Sequence, residues 1–205
     1  MVEIEPGSCS IEPVLWVRGR LFTWADVSAR QELLQGFLPV PSVIWQNPDW
    51  QLRIQAEATV SGVLRVRYRL ENLTDEVLSA RIFVLLRPFQ VTPPWQAFGA
   101  IGGVSRIHDL RWLDGAVRVN EKLLIVPTSK PHGFAATSFD DGFIVPQLGA
   151  GELPRRRRTH DGFGFASGAL AFELSLKPRA SDERVMGCDA ACIGHGSSPE
   201  WSRLA

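Results

Sequence analysis

This 205-residue chain is poor in sulfur: it has three cysteines, Cys9, Cys188 and Cys192, and two methionines. Three thiols in a chain this long do not make a disulfide framework. It also carries no surplus charge, because 22 Lys and Arg balance 22 Asp and Glu. That excludes the broad electrostatic attraction on which nucleic-acid binding depends. No apolar run approaches the length of about 18 residues that a membrane-spanning helix needs. The N-terminus, MVEIEPGSCSIEP, is acidic and lacks the apolar stretch of a secretory signal, which favours a cytoplasmic location. Motifs of common catalysts are missing too: there is no G-x-S-x-G elbow, no H-E-x-x-H and no phosphate-binding P-loop. The glycines of GFGFASG (162–168) miss the dinucleotide-binding spacing, and no βαβ pattern surrounds them. Helix signals are scarce. SARQELLQ (28–35) is the one good candidate, with Ser28 as N-cap, Gln31 closing a capping box and Gly36 after it.

Strand signals fill the space that helix leaves. In WQLRIQAEA (50–58), Trp50, Leu52, Ile54, Ala56 and Ala58 alternate with polar residues. In LRVRYRL (64–70), Leu64, Val66, Tyr68 and Leu70 alternate with three arginines. Each reads as a strand with one wet face. The intervening Val60-Ser61-Gly62 suits a three-residue hairpin loop, with Gly62 at its left-handed position. The register that follows sets Glu57 opposite Arg65, Gln55 opposite Arg67, Ala56 opposite Val66 and Ile54 opposite Tyr68. Charge pairing and core pairing therefore agree. The arginine stripe reads as a solvated sheet face.

More strands follow. LSARIFVLLR (78–87) returns from the turn NLTDE (72–76), and its IFVLL core, apolar on both faces, belongs between two layers. VRVNEKLLIVP (117–127) reads as a hairpin about Asn120-Glu121. FAATSF (134–139), Asp140-Asp141-Gly142 and FIVP read as another. ALAFELSL (169–176) turns Leu170, Phe172, Leu174 and Leu176 inward, and VLWVRGRLFTW (14–24) reads as two strands around Gly19. Many short strands separated by Pro and Gly mean two packed sheets or a barrel. The expected architecture is all-β, over residues 1–177. Residues 178–205 lose periodicity and read as an irregular C-terminal tail.

The chemistry is less direct. Cys188, Cys192 and His195 have ligand-like spacing for zinc, but a fourth ligand is lacking nearby unless Cys9 folds in. Incidental thiols in the tail are the plainer reading, and no metal or cofactor is expected. Loop carboxylates Asp109, Asp114, Asp140, Asp141 and Asp161 have no pairing visible in sequence, and Asp in turns usually serves the backbone. RRRR (155–158) suits either an anion or water. Seven Trp and one Tyr are more suggestive. A Trp ring fits both a core edge and a sugar face. Trp16, Trp50 and Trp24 fall in strand patterns and read as core. Trp95, within the Pro- and Gly-rich stretch RPFQVTPPWQAFGAIGGVS (87–105), and Trp112 flank its glycine loop and are the better binding candidates. Gln90, Gln96, Arg106, His108 and Asp109 would supply directional hydrogen bonds there.

Four motifs occur in order: RLFTWADV (20–27), GFLPVPSVIW (36–45), YRLENLTDE (68–76) and RPFQVTPPWQ (87–96). Over about residues 14–177 they resemble a β-supersandwich domain of large bacterial proteins that also carry a discoidin-like (coagulation factor 5/8 type) domain and a glucoamylase-like helical barrel. That domain is similar to the galactose-mutarotase fold and to the N-terminal domain of several glycoside hydrolases and sugar phosphorylases. The resemblance implies an antiparallel supersandwich with little helix, and an accessory, carbohydrate-associated module. Catalytic acids in such proteins lie in the barrel, which this chain lacks the length to include. Glu57, Glu71 and Glu76 have no histidine nearby in sequence, so sugar epimerisation is not carried over. Partners implied are carbohydrate and the neighbouring domains of a larger protein, with no nucleic acid and no membrane. Two other readings are kept: a domain-docking module without sugar binding, and a standalone epimerase or lyase.

Overall fold

The computed structural model describes residues 1–4, 8–59, 62–90 and 103–189. Trp95, Gln96, Cys192 and His195, all singled out from the sequence, lie outside them, as does the middle of the RPFQVTPPWQAFGAIGGVS stretch. In chain order the strands are β1 (Val2–Glu3), β2 (Ser10–Val17), β3 (Arg20–Phe22), β4 (Ser28–Leu34), β5 (Leu38–Gln46), β6 (Trp50–Ala58), β7 (Leu64–Asn72) and β8 (Leu78–Arg87). There follow β9 (Asp109–Leu113), β10 (Ala116–Val119), β11 (Leu123–Pro127), β12 (Gly133–Thr137), β13 (Arg158–His160), β14 (Ser167–Leu176) and β15 (Ser181–Asp189). One 3₁₀ turn, Trp24–Asp26, and one helical turn, α1 (Ile144–Gln147), complete the described elements.

The protein is an all-β sandwich of two antiparallel sheets. One has six strands, in the order β1-β2-β8-β14-β12 with β3 also on β2. The other has nine, in the order β13-β9-β10-β11-β15-β7-β6-β5-β4. The β6–β7 register is the one that alternation predicts: Glu57 faces Arg65, Gln55 faces Arg67, Ala56 faces Val66 and Ile54 faces Tyr68. Glu57 binds both Arg65 and Arg67, at 3.3 and 2.8 Å. The arginine stripe is thus cross-braced on the outer face. The turns named from sequence at Gly19 and Asn120-Glu121 have positive φ at both central residues: Arg18 and Gly19, then Asn120 and Glu121. That conformation matches the twist of paired strands.

Two cores result from the doubly apolar β8. Ile82, Val84 and Leu86 enter the main core between the sheets, with Leu170, Phe172, Leu174 and Leu176 of β14 beside them. Phe83 and Leu85 enter a second core on the outer face, covered by Ile144 and Leu148 and flanked by Trp16 and Leu153. Each such fully buried side chain stabilises the fold by about 1.5–3 kcal/mol relative to exposure. The sheets approach closely at Gly168, where an added Cβ would lie 2.6 Å from Leu110 Cδ2. The Trp16 ring lies against Gly151 in the same way, 2.5 Å from where a Cβ would be. At one end Asn72, fully buried, donates to the carbonyls of Glu76 (2.7 Å) and Lys177 (3.0 Å), and accepts from the Thr74 N–H and hydroxyl. This one side chain ties the NLTDE turn to the β14–β15 corner.

Tyr68 is fully buried in the main core and its hydroxyl has no hydrogen-bond partner among the described residues. Burial also pushes the phenol well above its usual pKa. Removing an unsatisfied buried hydroxyl forfeits nothing, so Tyr68→Phe is expected to leave stability unchanged or raise it by about 1 kcal/mol in a urea titration. A loss of stability would show that the hydroxyl is satisfied.

Four expectations need correction. SARQELLQ is strand β4, not helix. The capping box lies a turn earlier, where Thr23 accepts from Ala25 and Asp26 accepts from Thr23. So short a helix gains little by itself, whereas pairing with β5 satisfies the same backbone. FIVP is no strand: Ile144 begins α1 and seats in the second core, with its N–H on the Ser167 hydroxyl at 3.2 Å. Trp24 is not core but 66% exposed, because the 3₁₀ turn lifts it off the sheet. The segment from 178 is not an irregular tail as far as residue 189, since β15 pairs with both β7 and β11. Cys188 on that strand is buried close to buried Cys9, and burial pushes its thiol pKa up.

Candidate functional site

β13 is the outermost strand of the nine-stranded sheet and pairs with β9, setting His160 opposite Asp109 and Arg158 opposite Arg111. Cross-strand partners share a face, so these four side chains project outward together. They line an open cleft of about 420 Å³ with Leu110, Glu121, Arg156 and Thr159. Asp109 meets His160 Nδ1 at 2.9 Å. Glu121, on the β10–β11 turn, reaches Arg111 at 2.5 Å. Arg156 is bound to Asp141. The Ser138 hydroxyl first, and Arg156 after it, hold the Asp141 carboxyl below its usual range.

Two polar residues fix the backbone beneath. Asn120 accepts from the N–H groups of His108 (2.7 Å) and Asp109 (3.0 Å) and donates to the Arg106 carbonyl at 2.7 Å. Asp161, 4% exposed, accepts from the N–H groups of Phe139, Phe163 (2.9 Å) and Phe165 (3.2 Å). Burial opposes ionisation of this carboxyl, but the backbone donors outweigh it and hold the pKa below the usual range. The consequence is an aromatic platform. Phe139 contacts Phe143, Phe163 and Phe165 with ring centroids 5.9, 6.3 and 5.7 Å away. Phe139, Phe143 and Phe163 are 47%, 39% and 62% exposed. Because Asp161 follows His160 directly, platform and cleft adjoin along the chain.

Of the site residues read from sequence, Asp109 lines the cleft. His108 turns its Nδ1 to the Asp161 carbonyl, 2.9 Å away, and packs with the Arg106 stem around Gly164. Arg106 is itself exposed. Gln90 is engaged with Gly103, accepting from its N–H at 2.8 Å. Trp112 stacks on Phe134, centroids 6.2 Å apart, and packs against the main core. Composition does not mark the platform, because tryptophan stands out in it and phenylalanine does not. Its signal is a repeated D-G-F, at 141–143 and again at 161–163.

A second cleft, of about 360 Å³, lies on the outer face of the six-stranded sheet where the cover over the second core ends. Trp16, Arg81, His132 and Glu173 line it. Arg81 is bound to Glu173 and to the Gly151 carbonyl. Among the described residues, no group of three or more His, Cys, Asp or Glu is arranged to hold a metal ion. None of the described helices is long and apolar enough to cross a membrane.

No protein-family model matches the chain, and no curated protein does either. Among solved structures it is similar to a protein assigned as a kojibiose phosphorylase from the human microbiome. The TM-score is 0.48 at 8% identity, over 86% of this chain and 21% of that one. It is also similar to a polysaccharide lyase, with a TM-score of 0.46 at 16% identity, over 88% of this chain and 25% of that one. The chain thus spans about a quarter or less of either structure's length.

Proposed function

We propose that this chain is a carbohydrate-binding sandwich domain, not itself catalytic, serving as an accessory module of a larger glycoside-processing protein. The observation that carries the proposal is the exposed phenylalanine platform adjoining a cleft of carboxylates, guanidiniums and an imidazole. Sugars are bound by such pairings: ring C–H faces lie on aromatic surface while planar polar groups fix the hydroxyls. The volume is that of a small-ligand site. The order of sequence motifs that resemble supersandwich domains supports the same reading. Trp95 and Gln96, which lie outside the described residues, and Trp112 remain candidates.

Isothermal titration with neutral and acidic oligosaccharides tests this. Saturable binding is expected at millimolar sugar. Phe163→Ala, at a ring 62% exposed, is expected to weaken it about tenfold while leaving the melting temperature unchanged. No saturable heat with any saccharide would overturn the proposal. That outcome would favour the rival reading, for which the exposed platform is also the specific observation: a patch that docks a neighbouring domain.

A further inference from the structure

The β13–β9–β10 ladder holds an arrangement that a sheet face does not adopt for its own stability. Arg158 is the cross-strand partner of Arg111, and Arg111 is the cross-strand partner of Arg118. Three guanidiniums therefore stand in one row on one face, on strands about 4.8 Å apart. Like charges directly opposite one another destabilise a sheet. One carboxylate serves the row: Glu121 lies 2.5 Å from Arg111 and 4.0 Å from Arg118. Arg158 has no acidic partner among the described residues. The other acids near the cleft are committed, Asp109 to His160 and Asp141 to Arg156. Arg111 moreover keeps a buried Nε–H that no acceptor among the described residues meets. Arg155 and Arg157 adjoin in the chain, and both are exposed. In a molecule of zero formal net charge, this is a local positive surplus with an unfilled donor at its centre.

We infer that the cleft selects an anionic saccharide, one whose sugar unit bears a carboxylate or a sulfate, received by Arg158 and Arg111. The guanidinium fork donates two parallel N–H bonds to such a group, and these charge-assisted bonds are stronger than those a neutral hydroxyl receives. With the anion seated between Arg111 and Arg158, like-charge opposition becomes attraction to a shared partner, and the apolar face of the sugar is free to lie toward the platform. The sheet keeps Arg158 for this purpose at some cost to its own stability. This selectivity rests on the carbohydrate reading of the same site.

The test is isothermal titration of the full chain with four probes: an oligogalacturonate, a sulfated oligosaccharide, a neutral gluco-oligosaccharide and inorganic sulfate. Single-stranded DNA is a fifth. One or both charged saccharides are expected to bind about tenfold or more tightly than the neutral one, with affinity falling as salt rises. The two charged probes distinguish carboxylate from sulfate. Arg158→Ala is expected to erase that preference without lowering the melting temperature, because Arg158 is exposed and stands opposite another arginine. Arg158→Lys, which keeps the charge and loses the fork, is expected to restore part of it. Equal binding of neutral and charged saccharides would overturn the selectivity and leave the carbohydrate reading standing. Binding of inorganic sulfate or DNA without any saccharide would overturn both.

Discussion

Asp161→Ala is expected to lower the midpoint of thermal unfolding by about 6–12 °C, the equivalent of about 3 kcal/mol in a chain of this size. The carboxylate holds the backbone N–H groups of Phe139, Phe163 and Phe165 on two loops. Alanine leaves those donors without an acceptor, and an unsatisfied buried donor costs about 1–3 kcal/mol. The pH dependence has a definite sign. The folded pKa of Asp161 is depressed, so its stabilisation is complete above the unfolded value of about 3.9 and is lost as pH falls through the lower folded value. Melts of wild type and variant should therefore differ fully at pH 7 and converge in strong acid. The same substitution releases the platform, so sugar affinity should fall with stability, whereas Phe163→Ala costs affinity alone. Equal melting temperatures of wild type and Asp161→Ala at pH 7 would show that the loops hold without the carboxylate.

Arg87→Met is expected to cost about 3–5 kcal/mol, the largest single-site loss outside the apolar cores. Glu12 is 4% exposed on β2 and is bound by Arg87 of the neighbouring β8. Removing the arginine strands a carboxylate under protein, and that is where the penalty lies. Glu12→Met combined with Arg87→Met should recover most of the loss, since two apolar side chains of similar volume carry no desolvation debt. A double-mutant cycle in urea measures the coupling. Additive effects of the two changes would show that the pair is solvated. The pair joins β2 to β8 near one end of the second core, and Arg81 with Glu173 joins β8 to β14 near the other.

Strands with one wet face were legible in the sequence, and so was β8, because burial on one or both faces writes a period of two or an apolar run. The Glu57–Arg65 pairing followed from the same alternation. β4 was not legible, since it is exposed on both faces and its composition favours helix when neighbours are ignored. β15 was not legible for a related reason: SDERVMGCD carries charge at one end and small residues at the other, and its place is set by two strands distant in sequence. The cleft is a product of topology. Asp109 was singled out, but His160 and Arg158 meet it only because β13 crosses back to β9. Asp161 appeared among loop carboxylates, and its hold on three phenylalanine amides is visible only once the loops are folded.

β15 lies between β7 and β11, joining the four-strand meander β4–β7 to the four strands that carry the cleft. It is also the last described strand to leave the ribosome. Until residues 181–189 emerge, β7 presents a full length of unpaired N–H and C=O groups, a template for any extended chain nearby. The nascent protein therefore holds two half-sheets, and the cleft half stays unanchored to the other through the ladder. The strand that completes the sheet is thus the keystone of vectorial assembly, and a stalled or shortened chain ending near residue 177 would expose the β7 edge to aggregation.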